Sequence, residues 1–383
     1  MKRRNSKYQL FYYDPESSRN LYVYAYGLLS NMTVPTLYVC SKFYDYLPLP
    51  SHVCQKPVIS YFRFQNKLMQ GLSLLCSYLI MCYYLVLYRP SVVHIQWLKL
   101  PAFELRFYKV MRRLLGFQLV FTAHNVSHHY KAEGYKELYH KWYELVDAII
   151  VHAQDSRLEL VRRFDINEQK VHVIMHGILD ASLQEAMTPK REKELGERYS
   201  LEGKLVFSSL GAQSYYKGVD ILVSVWANTP ELRDNDHLRL VIVGPKKDVD
   251  VSPLSNIKNV IVGTHRIPDD EFEYLLRHTD VYLLPYREIS QSGAMLTAIA
   301  AHVPVLATAV GGLKDPFTVA PIGWSIEEAS ECKLRDAILD LVHHSERIEE
   351  VKLNEHNWRM VCAYYAWDAI AQRTQQLYDS LLV

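Results

Sequence analysis

A lysine and two glycines lie close together after an apolar segment in the middle of the chain. The segment Lys204–Leu210 ends at Gly211, and Lys217 and Gly218 follow within seven residues. A glycine at a strand end lets a ligand approach the backbone. A lysine ammonium and the amide groups at a helix N-terminus both attract phosphate oxygens. The spacing therefore indicates a phosphate-binding loop, although an ordinary strand-to-helix junction with a surface lysine has the same residue types.

A second polar loop follows the apolar segment Val281–Tyr286. It contains Glu288, Gln291, Ser292 and Gly293, and a run of small residues then predicts a helix. Unpaired N–H groups and the helix dipole favour an anion at such a helix N-terminus. Glu288 is placed to accept hydrogen bonds from sugar hydroxyls. Ser292 could instead be only an N-cap, but capping does not explain why Glu288 and Gln291 share the loop.

Two further candidates lie in the first half of the chain. His124 and Asn125 directly follow the apolar segment Gln118–Ala123, and both side chains can donate and accept hydrogen bonds toward a sugar or a phosphate. His128 and His129 come next, but no carboxylate accompanies them in a ligand pattern, so we predict no metal site. His176-Gly177 ends a later segment, where a plain turn and a ligand contact are equally compatible with the residues.

These groups follow short apolar segments that alternate with helical patterns along the chain. Most segments are continuously apolar, which is typical of parallel strands covered on both faces, so we predict an α/β fold with two doubly wound sheets. In open sheets of this class, ligands bind beyond the carboxyl ends of the strands. The predicted strands are Tyr8–Tyr13, Thr36–Cys40, Val58–Phe64, Val92–Trp97, Gln118–Ala123, Ala148–His152, Val171–Met175, Lys204–Leu210, Leu238–Val243, Asn259–Val262, Val281–Leu284 and Pro304–Ala307.

The length of 383 residues predicts two domains. We place a first domain at residues 1–180, a second at 200–345, and a helical segment at 346–383 that packs back on the first. The charged segment Met187–Tyr199 between the two domains is typical of a surface helix or a solvated connection.

Composition excludes some classes of protein. With 43 basic and 42 acidic residues, the chain has no basic excess to neutralise bulk nucleic acid. The six cysteines form no Cys-x-x-Cys pair, and we interpret them as reduced core residues of a cytoplasmic protein. Leu72–Tyr88 has no charged residue for 17 positions, and its marginal length favours a buried or interfacial helix over a membrane span.

Together these motifs resemble the retaining glycosyltransferases of family 4, also called group 1, which have the GT-B fold of two Rossmann-like domains facing across a cleft. The resemblance covers nearly the whole chain. It rests on the following segments: Tyr216–Asp220, Leu284–Tyr286, Gln291–Gly293, Pro304–Leu313, Tyr365–Ala371, Thr122–Asn125 and Asp147–His152.

The resemblance implies a role for each candidate residue. Lys217 would contact the donor diphosphate, and Ser292 and Gly293 would bind phosphate through backbone amides. Glu288 would lie near the donor sugar hydroxyls, and His124 would lie at the reacting sugar from the first domain. Catalytic roles are thus expected for His124, Lys217 and Glu288. Donor binding is expected for Gly211, Gly218, Gln291, Ser292, Gly293 and Asn125.

The resemblance also implies that neither a metal nor a cofactor is required, since the lysine and the helix dipole neutralise the departing diphosphate. Two departures stand out. The arginine that many relatives carry in the lysine loop is absent unless Arg287 replaces it, and Thr297 stands where relatives have a ribose-binding glutamate.

We therefore expect an enzyme that transfers a sugar from a nucleotide sugar to a glycan or lipid-linked glycan, with retention, in surface polysaccharide biosynthesis. The apolar Leu72–Tyr88 helix and the 28 tyrosines favour peripheral contact with the cytoplasmic face of a membrane. Two alternatives remain: a non-catalytic GT-B protein that binds a nucleotide sugar or serves as a partner subunit, and a nucleotide-sugar epimerase.

Overall fold

The computed structural model describes residues 6–17, 22–42, 48–124, 133–178 and 187–383. The chain divides into two compact units. Unit 1 comprises Met1–Gly177 and Tyr365–Val383, and unit 2 comprises Ile178–Tyr364. The predicted third segment, 346–383, is therefore split, because residues 346–364 belong to unit 2 and only the chain from Tyr365 onward belongs to unit 1.

The described part of unit 1 contains a parallel sheet in the order β3-β2-β1-β4-β5-β6-β7. Its strands are β1 Leu10–Asp14, β2 Thr36–Ser41, β3 Val53–Ile59, β4 Val92–Ile95, β5 Gln118–Thr122, β6 Ala148–Val151 and β7 Val171–Val173. Its helices are α1 Tyr22–Ser30, α2 Lys67–Tyr88, α3 Pro101–Leu115, α4 Glu133–Leu145, α5 Gln154–Phe164 and, at the end of the chain, α15 Trp367–Ser380. Apolar clusters cover both faces of the sheet, as the continuous apolar segments predict.

Unit 2 has a parallel sheet in the order β10-β9-β8-β11-β12-β13 within the same described residues. Its strands are β8 Leu205–Leu210, β9 Leu238–Val243, β10 Val260–Gly263, β11 Val281–Leu284, β12 Val305–Thr308 and β13 Gly323–Ile326. Its helices are α6 Pro189–Tyr199, α7 Val219–Asn228, α8 Pro230–Arg233, α9 Asp269–Arg277, α10 Gly293–Ala300, α11 Asp315–Val319, α12 Glu331–His343, α13 Glu346–Leu353 and α14 Glu355–Tyr364. The charged segment before β8 forms the helix α6, which is one of the two alternatives predicted for it.

Two strand predictions differ from the structure. The strand predicted at Val58–Phe64 begins five residues earlier, at Val53, and Tyr61–Arg63 form a 3₁₀ turn instead. The strand β13 was not predicted at all. Both β3 and β13 lie at sheet edges, where strands are short or carry polar residues that interrupt the apolar pattern.

The apolar segment Leu72–Tyr88 lies in the 22-residue helix α2. Asn66 caps its first turn, and the left-handed residue Arg89 ends it. One side of the helix, formed by Leu74, Tyr78, Met81 and Leu85, packs in the core of unit 1. Among the described residues, α2 alone is long and apolar enough to cross a membrane by length and composition, a test that buried core helices of soluble proteins also pass.

The cysteine prediction was only partly right. All six thiols are free, and Cys40 is buried, but Cys76 on α2 and Cys332 on α12 are exposed. Cys76 is exposed because it lies on the side of α2 that faces away from the core.

Candidate active site

The loops that follow β8, β9, β11 and β12 meet at the carboxyl edge of the unit 2 sheet. The order of strands reverses at this edge, between β8 and β11. The loops approach through their backbones at glycines. A Cβ on Gly218 would lie 1.9 Å from the Pro285 carbonyl oxygen, and one on Gly244 would lie 1.9 Å from that of Gly211. Gly211, Gly218 and Gly244 all have positive φ. The site therefore requires glycine for backbone conformation and for close loop packing.

Lys217 lies in this loop cluster with its ammonium beside the backbone. A Cβ on Gly211 would be 3.2 Å from Lys217 Nζ, and the same Nζ lies 5.6 Å from the centroid of the Tyr286 ring. Burial alone lowers the pKa of Lys217, and no carboxylate in the described part of the chain contributes to the shift. A half-buried ammonium without a carboxylate partner is stabilised by an incoming anion.

Arg287 is paired with an acidic residue of its own unit. Its guanidinium makes a bidentate pair with Asp220, with distances of 2.7 Å from Nη1 to Oδ1 and from Nη2 to Oδ2. It also stacks over the Tyr215 ring at 3.7 Å and donates to the Tyr215 carbonyl. Arg287 therefore ties the loop after β11 to the loop that carries Lys217.

The predicted helix N-terminus is present at α10. Ser292 is buried and caps the helix by accepting from the Met295 amide at 3.3 Å. Capping and anion binding are compatible, because the first-turn amides of Gly293 and Ala294 have no carbonyl within the helix to donate to. The hydroxyl of Ser292 also lies against the Tyr286 phenol, whose pKa is raised by burial. Tyr286 thus contacts both Lys217 and Ser292, a role that the sequence did not suggest.

The remaining residues of this loop differ in exposure. Gln291 is half-buried, and Glu288 is exposed. Thr297 donates its hydroxyl hydrogen to the Gly293 carbonyl at 2.9 Å. It therefore supplies no carboxylate at the position where relatives have a glutamate.

His124 of unit 1 lies two residues beyond the end of β5, at the carboxyl edge of that sheet. Its ring stacks on Trp97 at 4.5 Å, with an interplanar angle of 13°, and the Tyr24 ring meets it edge-on at 5.0 Å. Its Nε2 lies 2.7 Å from Gln96 Oε1 and its Nδ1 lies 3.0 Å from His152 Nε2. Both ring nitrogens are therefore engaged within unit 1, by two partners that were not among the predicted site residues.

His176-Gly177 has a packing role in unit 1. His176 donates from Nδ1 to the Gly177 carbonyl at 2.7 Å, and burial lowers its pKa to about 4. A Cβ on Gly177 would lie 2.4 Å from the Trp367 ring. Glycine is therefore required at position 177, because a larger side chain would clash with Trp367, the first residue of α15.

The structure brings Gly211, Lys217, Gly218 and the α10 N-terminus together at one sheet edge, and places His124 at the edge of the other sheet. Asn125, His128 and His129 lie outside the described residues. Within the described part of the chain, no group of three or more histidine, cysteine or acidic side chains could hold a metal ion.

Two family models match the chain. The model described as Glycosyltransferase Family 4 matches residues 40–180, and the model described as Glycosyl transferases group 1 matches residues 203–344. D-inositol 3-phosphate glycosyltransferase from Corynebacterium aurimucosum is 24% identical over 245 residues, which are 61% of this chain. The chain spans only 56% of that relative's length.

Solved structures share the fold across nearly the whole chain. HepE from Anabaena in complex with UDP superposes with a TM-score of 0.70 and 12% identity, covering 97% of this chain and 100% of that one. Sucrose-phosphate synthase from Thermosynechococcus elongatus gives a TM-score of 0.70 and 17% identity, covering 97% and 98%. At these identities the likeness establishes the fold.

Proposed function

Because the chain belongs to the glycosyltransferases of group 1 and family 4, enzymes with the GT-B fold, we propose that it moves a sugar from a nucleotide-sugar donor to a glycan or lipid-linked glycan acceptor with retention of configuration. Lys217 carries this proposal. Its half-buried ammonium has its pKa lowered by burial alone, and it lies beside the backbone of Gly211. The departing nucleoside diphosphate would supply the missing negative charge.

The reaction follows from where charge develops. As the bond between the sugar and the diphosphate breaks, negative charge grows on the phosphate oxygens. Lys217 and the first-turn amides of α10 stabilise that charge more strongly in the transition state than in the bound donor, and this difference accelerates the step. No metal or cofactor takes part in the proposed reaction, and Glu288 holds the hydroxyls of the donor sugar.

An assay of nucleotide release tests the proposal. Wild type, Lys217→Ala and the control Lys333→Ala, on the exposed surface of α12, are incubated with UDP-, GDP- and ADP-sugars and a membrane lipid extract. UDP-sugars come first, since the HepE structure contains UDP. We expect release from one donor that depends on the extract and falls ~10²–10³-fold in Lys217→Ala alone, the usual cost of losing one group that stabilises a developing oxyanion.

Other outcomes contradict the proposal in distinct ways. A donor that binds without being consumed under any acceptor condition supports the non-catalytic alternative. An isomeric nucleotide sugar formed without acceptor supports the epimerase. A product with the opposite anomeric configuration refutes retention but leaves transfer intact.

The outer side of α2 supports a lipid-linked acceptor. Opposite its buried side, the helix exposes a continuous apolar stripe that includes Leu68, 70% exposed, and Leu79, 65% exposed. The neighbouring helix α3 adds Phe103, Val110 and Leu114. Contiguous apolar surface of this kind is typical of contact with another molecule or with a membrane.

The charges around this stripe favour an anionic lipid surface. Arg106, Lys109 and Arg113 are exposed on α3, and Glu104, the only acidic residue of that helix, is buried. Lys67 and Arg89 lie at the two ends of α2. Each basic residue near an anionic membrane contributes about 1 kcal/mol. We therefore propose that α2 lies in the plane of the cytoplasmic membrane face, a location that the six free cysteines also support.

Vesicle sedimentation tests this location. Wild type should bind vesicles containing anionic lipid and bind zwitterionic vesicles weakly. Leu72→Glu with Leu79→Glu should abolish binding, whereas Leu353→Glu, at a residue of α13 that is 76% exposed, should not. Replacing Arg106, Lys109 and Arg113 by alanine should weaken binding ~10²-fold, from about 1 kcal/mol each. Dimerisation through α2 without vesicle binding would contradict the proposal.

A further inference from the structure

Side chains from neighbouring strands of unit 1 form a continuous series of hydrogen bonds at the carboxyl edge of the sheet. His94 is on β4, Thr122 on β5, and Gln96, His124 and His152 follow β4, β5 and β6. At one end, His94 Nδ1 lies 2.5 Å from Tyr378 Oη, and His94 Nε2 lies 2.7 Å from Thr122 Oγ1. In the middle, Gln96 Oε1 lies 2.7 Å from His124 Nε2. At the other end, His124 Nδ1 lies 3.0 Å from His152 Nε2, and His152 Nδ1 lies 2.8 Å from the Ile174 carbonyl oxygen.

The carbonyl end of this series fixes the position of the hydrogens. The Ile174 carbonyl only accepts, so Nδ1 of His152 carries hydrogen. Burial lowers the pKa of His152 to about 3 and the pKa of His124 well below its usual value, so both rings are neutral near pH 7. A neutral His152 then accepts at Nε2, and His124 must donate from Nδ1. Nε2 of His124 is left as a lone pair.

Gln96 must complement that lone pair. With its Oε1 toward His124 Nε2, the pair of histidines would hold one additional proton and a positive charge, which burial opposes. The amide oxygen and nitrogen are nearly interchangeable in shape, and their assignment follows from the hydrogen-bond network. The neutral network requires the Gln96 amide nitrogen to donate to His124 Nε2. The amide oxygen then takes the position 3.2 Å from Thr122 Oγ1 and accepts from the Thr122 hydroxyl.

The two partners of His124 differ in how readily they can be exchanged. His152 is 3% exposed and is anchored to the Ile174 carbonyl, so the Nδ1 contact is fixed. Gln96 can release His124, because rotation of its amide places the nitrogen within 3.2 Å of both His94 Nε2 and Thr122 Oγ1. Nε2 is therefore the atom of His124 that a ligand can reach by displacing a partner.

We propose that His152 and Gln96 are positioning residues of the sugar transfer: His152 holds His124 as the neutral Nδ1–H tautomer, and Gln96 occupies Nε2 until a substrate hydroxyl donates its hydrogen there. This inference rests on the proposed function. It makes His124 a hydrogen-bond acceptor toward the sugar and excludes it as a proton donor. The titratable groups that face His124 are His94, His152, His176 and Tyr24, so among the described residues no carboxylate competes for this role.

The tautomer is measured directly by nitrogen NMR of the full-length protein labelled with ¹⁵N-histidine, with His124→Gln used to assign the signal. At pH 7 we expect hydrogen on Nδ1 of His124 and none on Nε2. In His152→Phe, Nδ1 loses its acceptor, and we expect the hydrogen to move to Nε2. Hydrogen on Nε2 of the wild-type ring, or on both nitrogens, overturns the inference.

Kinetics separate positioning from a purely structural role. His152→Phe should lower kcat ~10- to 100-fold, the scale of a misplaced contact at the reacting group. His152→Gln should recover part of that loss, because its amide oxygen reaches the position of the ring Nε2. Gln96→Glu should lower kcat because its carboxylate draws a proton onto Nε2, and the kcat profile should gain an additional ionisation. Gln96→Leu should lower kcat less than Gln96→Glu and should add no ionisation to the profile, because it removes the resting partner of Nε2 without introducing a charge.

Equal losses in Gln96→Leu and Gln96→Glu, or an unchanged kcat in His152→Phe, would overturn the inference while leaving sugar transfer established. Absence of transfer by the wild-type protein would instead overturn the proposed function. The NMR tautomer remains measurable in that case, so the two failures are distinguishable. Thermal unfolding of each variant identifies any that has lost its fold.

Discussion

At the scale of single residues, Lys217 gives donor binding a pH dependence. Burial lowers its pKa, so the ammonium of the free protein deprotonates at lower pH than an ordinary lysine, whereas a bound diphosphate raises the pKa again. Donor affinity should therefore be full below the pKa of the free protein. The affinity should fall as pH rises above the pKa of the free protein, and it should level off above the higher pKa of the complex.

Calorimetric titration with the nucleotide sugar, from neutral pH up to the ordinary pKa of lysine at about 10.4, measures this dependence. In Lys217→Arg the charge persists throughout the range, so the fall should disappear even if binding is weaker overall. The same fall in both proteins would show that another group is responsible.

The pair between Asp220 and Arg287 provides a second prediction at this scale. Asp220→Asn removes one partner of the bidentate contact and releases the guanidinium that braces the Lys217 loop, so we expect the donor Kd to rise about tenfold, or about 1.4 kcal/mol. Asp234→Asn is a matched control, because Asp234 pairs with Arg233 on the exposed surface of the same unit. Isothermal titration measures both variants. A lower donor Kd in Asp220→Asn would mean that the released guanidinium of Arg287 binds the diphosphate itself.

At the scale of elements, two helical glycines should respond oppositely to alanine. A Cβ on Gly27 of α1 would lie 2.3 Å from the Trp367 ring, whereas one on Gly71 of α2 would meet nothing within 4 Å. Gly27→Ala should destabilise unit 1 by about 1–3 kcal/mol through overpacking, and Gly71→Ala should stabilise it by about 0.5–1 kcal/mol through helix propensity.

Chemical denaturation monitored by circular dichroism gives both free energies of unfolding. Trp367→Ala provides the internal control, because the cost of Gly27→Ala should largely vanish in the double variant. Additive costs would show that the ring of Trp367 is not the neighbour that Gly27 must avoid.

The elements also show how far the sequence is informative. Central strands such as β4, β6 and β9 were predicted because continuous apolar segments mark strands buried on both faces. The edge strand β3 was misplaced because Gln55 and Lys56 interrupt its pattern, and Pro57 lies within it. The edge strand β13 was missed because it is four residues long and only partly buried.

The candidate site was likewise predictable only in part from the sequence. The glycine and lysine after β8 and the N-terminus of α10 were predictable, because each is local in the chain and directly follows a strand. The partners of His124 were not, since each lies 28 residues away along the chain and meets it only when the strands pair. The signal that could have found them is a polar side chain at the end of each apolar segment, such as Gln96 and His152. The bidentate partner of Arg287 is likewise 67 residues distant.

At the scale of the whole molecule, the chain leaves unit 1 after Gly177 and rejoins it at Tyr365, and Trp367 then packs against Gly27 and Gly177. The helix α15 also supplies the buried residues Ile370, Leu377 and Tyr378 to the core around β1, β4 and β5. Unit 1 is thus assembled from two segments that are distant in sequence, whereas unit 2 is one continuous segment.

This arrangement reverses the usual order of maturation during protein synthesis. A ribosome completes unit 2 while unit 1, although translated first, still lacks α15. The apolar residues of α1 therefore stay uncovered, and His94 lacks its partner, the Tyr378 hydroxyl, until α15 emerges. Nascent chains should therefore acquire protease resistance in unit 2 before unit 1, contrary to the general rule that N-terminal domains fold first. During that interval unit 1 is the part of the molecule most dependent on chaperones.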